Sequence, residues 1–285
     1  MLKNNASKLD QSTAFIFDNY DVRGELVSLN EVIYQTNQHQ KYPTAIASLL
    51  GEMLAAAALM RSMLKFNGNL LLQARSDSVI KLISAECNHN GALRGTVRFV
   101  AESLKSQTSD ITELLDGGIF ALTLDADLKH NYQSLIELNQ PNLSACLMEF
   151  FAQSQQLPTC FVLLADNQQA YGLLLQQLPQ NIESEYERIE NFNKLSTIAQ
   201  TITLKEFTEF SHQEILWRLF HEEQVRFFKP QKLFFSCSCS RAKALSVLAN
   251  LPKNEIEQIF NEKEQIIINC EFCGNQQLFT AADLV

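Results

Sequence analysis

The chain has 285 residues, 46% of them hydrophobic, which is enough for one large core and a second small unit. A net charge of −9 argues against a nucleic-acid partner, because affinity for phosphates rests on Lys and Arg. Residues 1–12 are polar and lack the apolar centre of a signal peptide, and no segment reads as an uninterrupted apolar span of membrane length, so a soluble, cytoplasmic protein with no membrane partner is expected.

In chain order, Thr13–Phe17 and Arg23–Ser28 read as short strands around an Asp18-Asn19 turn, followed by a polar helix over 30–39. Pro43 then opens a longer helix over 44–64. It carries Ala55-Ala56-Ala57-Ala58 among Leu and Met and has no wide polar face, so it belongs between layers, with Met53, Met60 and Met63 as core filling. Strands follow at 70–74, 79–86 and 94–100, with Asn88-His89-Asn90-Gly91 as a turn. A short helix at 110–115 leads through Gly117-Gly118, which lacks the Lys-Ser or Lys-Thr of a phosphate loop, into strands at 120–124 and 132–138. Residues 143–154 form an amphipathic helix, and 160–165 and 171–176 a hairpin ending at Pro179. Strands with interspersed helices and no regular βαβ alternation indicate an α+β fold.

Past residue 180 the character changes. Glu183, Glu185, Glu187 and Glu190 crowd one stretch and read as a solvated helix face, while Ile189, Phe192, Leu195, Ile198 and Ile202 recur at steps of three or four. Phe207, Phe210, Ile215, Leu216, Trp217, Leu219 and Phe220 continue the apolar pattern. Such a segment must dock an apolar face on something. Periodicity does not distinguish a plain helical linker from an element whose docking is marginal and regulated. His221-Glu222-Glu223 is no zincin helix, since position 225 is Val, and His39, His89, His130, His212 and His221 form no catalytic cluster. The expected reading for each is a surface or locally satisfied histidine.

Four of the seven cysteines stand as two pairs near the C-terminus, Cys237-Ser-Cys239 and Cys270-Glu-Phe-Cys273, separated by the thirty residues 240–269. Paired thiolates suit tetrahedral Zn(II), each short spacer presetting two corners. One ion per chain in the reduced form is expected, with a helix over 240–248, a second over 253–261 and a strand over 265–269 between the pairs. Metal binding would supply much of the folding energy of so small a unit. A static clasp and a switch are both open, since bound thiolates remain nucleophilic. Cys87, Cys146 and Cys160 stand singly and read as buried small hydrophobes.

The C-x-C and C-x-x-C pairs, together with Leu216-Trp217-Arg218-Leu219-Phe220-His221-Glu222-Glu223, Val22-Arg23-Gly24-Glu25-Leu26-Val27, Leu49-Leu50-Gly51-Glu52 and Cys273-Gly274-Asn275, resemble the redox-regulated 33-kDa heat-shock chaperone family over nearly the whole chain. Ala170-Tyr171-Gly172 departs from that family's Ala-Gly-Gly run. The resemblance implies a non-enzymatic, ATP-independent holdase, inactive when reduced and zinc-bound. Oxidation would join Cys237 to Cys239 and Cys270 to Cys273, release zinc, unfold the linker and expose apolar surface to unfolding clients. A homodimer on oxidation is also inherited from it. The alternatives are a zinc-module protein binding nucleic acid and a thiol-disulfide oxidoreductase using Cys270 and Cys273. The expected organisation is an α+β core domain over 1–179, an amphipathic helical linker over 180–230 and a four-cysteine zinc module over 231–285.

Overall fold

The structure is a computed structural model that describes residues 9–64, 67–103, 108–125, 131–154, 156–182, 184–252, 256, 258–260 and 265–284. It divides into two compact units, Met1–Phe235 and Ser236–Val285.

The first unit is organised around the apolar helix. After strands β1 (Gln11–Phe17) and β2 (Val22–Leu29) and helix α1 (Glu31–Asn37), helix α2 runs over Thr44–Met63 with Pro43 at its N-cap. Proline fits there because the first helical N–H groups need no intrahelical partner. Residues 53–60 of α2 are buried all round. By length and composition α2 could cross a membrane, which differs from the expectation that no such span exists. However, 78% of its most apolar window is buried inside the protein, as befits a core helix.

Strands β3 (Asn69–Arg75), β4 (Ile80–Asn88) and β5 (Ala92–Phe99), helix α3 (Ile111–Leu114), strands β6 (Ile119–Asp125) and β7 (Asn131–Ile136), helix α4 (Leu143–Ser154), and the hairpin β8 (Thr159–Ala165) and β9 (Ala170–Gln177) follow. Asp110 caps α3, its carboxylate accepting from the Thr112 amide at 2.9 Å. With β10 at Val225–Phe227, β11 at Gln231–Lys232 and β12 at Phe234–Phe235, one sheet has the order β10-β1-β2-β9-β8, with β11 also pairing β1, and the other runs β12-β5-β4-β3-β6-β7. The late strands β10, β11 and β12 therefore close both sheets. β12 lies parallel to β5, whereas the other pairings in both sheets are antiparallel. These short, half-polar strands carry no alternation long enough to be legible in the sequence.

The main core joins α2 and α4 to inward residues of both sheets, including Leu50, Met53, Leu54, Leu72, Ile83, Phe120, Phe150 and Phe161. Met53 and Met60 are buried and Met63 packs against this core, as expected. Close approach of helix to sheet fixes Gly172. A Cβ there would stand 2.6 Å from Leu59 Cδ1, so a side chain at this position would force Leu59 to shift.

In the second unit, α8 (Arg241–Ala249) is capped by Ser240, and β13 (Ile266–Asn269) pairs antiparallel with β14 (Gln276–Phe279). The second expected helix falls largely outside the described residues; Ile256 and residues 258–260 are helical. The Arg241 guanidinium stacks over the buried Phe279 ring, donates to the Leu278 carbonyl and pairs with Asp283 at 2.7 Å. Long polar side chains thus do part of what a larger core would do.

Candidate metal centre and the docked helical segment

The four sulfurs of Cys237, Cys239, Cys270 and Cys273 all lie within 4.8 Å of one another. Cys237 Sγ is 3.6 Å from Cys270 Sγ, and Cys239 Sγ is 3.4 Å from Cys273 Sγ. A tetrahedron with Zn–S bonds of ~2.3 Å has edges of ~3.8 Å, so the quartet matches that shape. A disulfide needs ~2.05 Å, and all seven cysteines are free. The residues present therefore fit a thiolate-bound cation with no histidine or carboxylate in the set.

The second pair sits on a tight turn. Strand β13 delivers Cys270, whose amide donates to the Asn275 carbonyl at 2.9 Å, while the Gly274 amide returns to the Cys270 carbonyl at 2.8 Å. Gly274 has φ +69°, a left-handed backbone that a side chain would strain, which explains a glycine directly after the last cysteine. On the first pair, Lys243 Nζ donates to the Ser238 carbonyl at 2.8 Å, clamping the single-residue spacer to α8. Burial pushes the Cys239 and Cys273 thiols up. It opposes ionisation of Cys237 too, yet the Cys239 amide and the Cys273, Cys239 and Cys270 thiols outweigh it and draw Cys237 below its usual value. The oxidoreductase alternative loses support here, because Cys270 and Cys273 stand in a turn between strands and not at the head of a helix that would stabilise a reactive thiolate.

Cys87, Cys146 and Cys160 are buried, at 2%, 1% and 3% exposure, and belong to the packing of the first unit. Burial raises all three thiols, Cys87 to about 12, which makes them poor nucleophiles.

The stretch after residue 180 forms three short helices, α5 (Glu185–Ala199), α6 (Leu204–Glu209) and α7 (His212–Leu219), each opened by a full capping box: Ser184 with Glu187, Thr203 with Glu206, and Ser211 with Glu214. Three of the acidic residues thus hold helix ends, a role that the repeated S/T-x-x-E spacing encodes. The helices lie on the face of the first sheet that points away from α2. Phe192, Leu195, Ala199, Ile202, Phe207, Ile215, Leu216 and Phe220 join Phe15, Phe17, Leu26, Val162, Tyr171 and Leu173 in a second core. Ile189 and Trp217, which fall on the same sequence pattern, are 54% and 69% exposed.

Specific contacts fasten this layer. Tyr171 and Phe207 stack with ring centres 4.9 Å apart and planes at 14°, and the Tyr171 hydroxyl donates to Gln169 Oε1, whose amide nitrogen donates to Thr208 Oγ1. Strand alternation thus gives Tyr171 to the helices and Gly172 to α2. Asp21 accepts from the Asn181 and Ile182 amides where the segment begins, and Glu223 binds Tyr20 and Lys194, both at 2.8 Å, where the helices end. His212 is buried between Thr13 and Ser28, and sequence reading gave no hint of that position beyond a locally satisfied histidine.

Comparison with known proteins agrees with this geometry. The family model described as Hsp33 protein matches residues 10–280. A 33 kDa chaperonin of Ectopseudomonas mendocina is 43% identical over 277 residues, spanning 96% of this chain and 94% of that protein. One of Pseudomonas aeruginosa (strain UCBPP-PA14) is 42% identical over 280 residues, spanning 98% and 94%. The crystal structure of the 33 kDa chaperonin of Thermotoga maritima superposes with a TM-score of 0.78, covering 96% of each chain at 22% identity.

Proposed function

Because the chain belongs to the Hsp33 family of 33 kDa chaperonins, we propose that it is a redox-regulated, ATP-independent holdase whose resting form is reduced. It is a chaperone and not an enzyme. The observation that carries the redox reading is the closeness of four cysteine sulfurs, with no other ligand type among them. Cys237, Cys239, Cys270 and Cys273 would hold one Zn(II) per chain. When bound, that ion keeps the four sulfurs as thiolates and contributes folding energy to a unit with few buried side chains.

Oxidation removes the ligands in twos. Two thiolates give up two electrons to one hydrogen peroxide, which takes two protons from solvent and leaves as two waters while the sulfurs join as one disulfide, so two equivalents convert the quartet to Cys237–Cys239 and Cys270–Cys273. This pairing is the one the family resemblance implies; the two shortest sulfur separations here run crosswise, Cys237 to Cys270 and Cys239 to Cys273. With no thiolate left, the second unit loses its main support. The helices α5–α7, whose chain continues through β10–β12 into that unit, then undock and expose the apolar face around Phe15, Leu26 and Tyr171. Apolar surface of that kind binds exposed apolar segments of unfolding proteins without sequence specificity. The working compartment is the reducing cytoplasm, where a resting thiol quartet persists. A homodimer of the oxidised form belongs to the same proposal.

The test is light scattering from a thermally unfolding client with reduced and peroxide-treated chain, alongside peptide mapping. The proposal expects suppression only after oxidation, with the two local disulfides dominant. Equal activity in both forms, or a bridge from Cys146 or Cys160 to the C-terminal unit, would refute it.

A further inference from the structure

We propose that His212 is an acid-sensitive latch: its neutral imidazole pins α7 to β1 and β2, and protonation releases the helical segment without any thiol oxidation. The docking half of this inference stands on geometry alone, while its consequence for activity rests on the holdase reading above.

His212 is 5% exposed and bridges two strands, with Nδ1 2.8 Å from Thr13 Oγ1 and Nε2 2.6 Å from Ser28 Oγ. A neutral imidazole offers one donor and one acceptor, and a hydroxyl can meet either, so this bridge is satisfied without a charge. An imidazolium would find no anion there. It is also the first residue of α7, where the helix presents the positive end of its dipole and disfavours a cation.

The charged and titratable groups on the surrounding elements are engaged elsewhere. Asp10, ahead of β1, accepts from the Asn30, Glu31 and Val32 amides, and Asp18, after it, pairs with Arg226. On β2, Arg23 donates to Gln176 and Glu25 turns to Ser12 on the opposite face. Tyr171 on β9 bonds Gln169. On α6, Glu206 closes its capping box and Lys205 pairs with Glu209; on α7, Glu214 closes its own box and Arg218 lies over Phe210. None forms an ion pair with His212 among the described residues.

Burial accordingly lowers the His212 pKa from 6.5 to about 4. The sign follows from linkage. The undocked imidazole takes up a proton near pH 6.5 and the docked one only near 4, so docking is fully supported above 6.5 and weakens as pH falls between the two values. At pH 5 the shift toward the undocked form is roughly thirtyfold relative to neutral pH. Glu187 and Glu214, whose pKa values are lowered by their cap hydrogen bonds, remain ionised there and keep capping.

The experiment compares the reduced, zinc-loaded full chain with His212→Gln, whose amide can serve both hydroxyls but does not titrate. Hydrogen-exchange protection of α6 and α7, corrected for intrinsic rates, is read at pH 7.4 and 5, with zinc content assayed at each. Expected is a roughly thirtyfold loss in the wild type and a nearly flat response in the variant. An equal fall in both, or none in the wild type, overturns the latch. Should His212→Gln already be undocked at pH 7.4, titration of the wild-type His212 ring by NMR decides: a midpoint near 4 together with lost protection supports the latch, and one near 6.5 overturns it. Client aggregation at pH 5 forms a separate arm. If protection falls through His212 but no client is held, the latch stands and the link from undocking to holdase activity fails.

Discussion

Leu195→Glu should activate the reduced, metal-loaded chain. Leu195 is 0% exposed at the centre of the core between α5 and the first sheet, so its removal forfeits about 1.5–3 kcal/mol of burial. The incoming carboxylate adds a second cost that this protein calibrates itself. Burial raises Glu25 to about 7, even with a hydrogen bond from Ser12, which at pH 7 corresponds to about 3 kcal/mol. Together about 5 kcal/mol moves the docking equilibrium more than a thousandfold. Ile189→Glu on the same helix is the control, because its side chain is 54% exposed and the change should stay within about 0.5 kcal/mol. Hydrogen exchange over α5–α7 and client light scattering read the outcome with thiols reduced. If Leu195→Glu remained as protected and as inactive as the wild type, the docked helices would not be what restrains activity.

Two further outcomes are expected. Cys270→Ser should weaken zinc binding by more than the ~100-fold that loss of an outer-sphere partner can cost, whereas Cys87→Ser, a buried packing position, should leave affinity unchanged in a competition titration with a chromogenic chelator. Glu25→Gln should stabilise the first unit at pH 8 by up to about 3 kcal/mol in urea unfolding. The sign follows from a folded pKa raised above 4.5: the fold favours the protonated acid, so stability falls as pH rises from 4.5 through about 7, and the amide removes that loss.

The elements most legible in the sequence were those with long, consistent patterns. The boundaries of α2 and α4 follow Pro43 and an uninterrupted helical period, and the four thiols announced themselves by spacing. Beyond that, periodicity named a stripe but not its edges. Ile189 and Trp217 share the stripe with Leu195 and Leu216 and lie outside the packed face, because a short helix meeting a twisted sheet buries only part of each turn. Strands β10–β12 owe their place to pairing partners more than a hundred residues distant, which local propensity does not register. His212 and the Tyr171–Phe207 stack depend on the same long-range layering.

In the proposed function the helical segment couples the cysteine centre to an apolar binding face. Hydrogen exchange during peroxide oxidation of the zinc-loaded chain tests it most directly, with zinc release and client binding followed in the same samples. Protection should be lost across α5–α7 and the second unit as zinc leaves and binding appears, while α2, β3 and β4 stay protected. Release of zinc and gain of binding with α5–α7 still fully protected would contradict it.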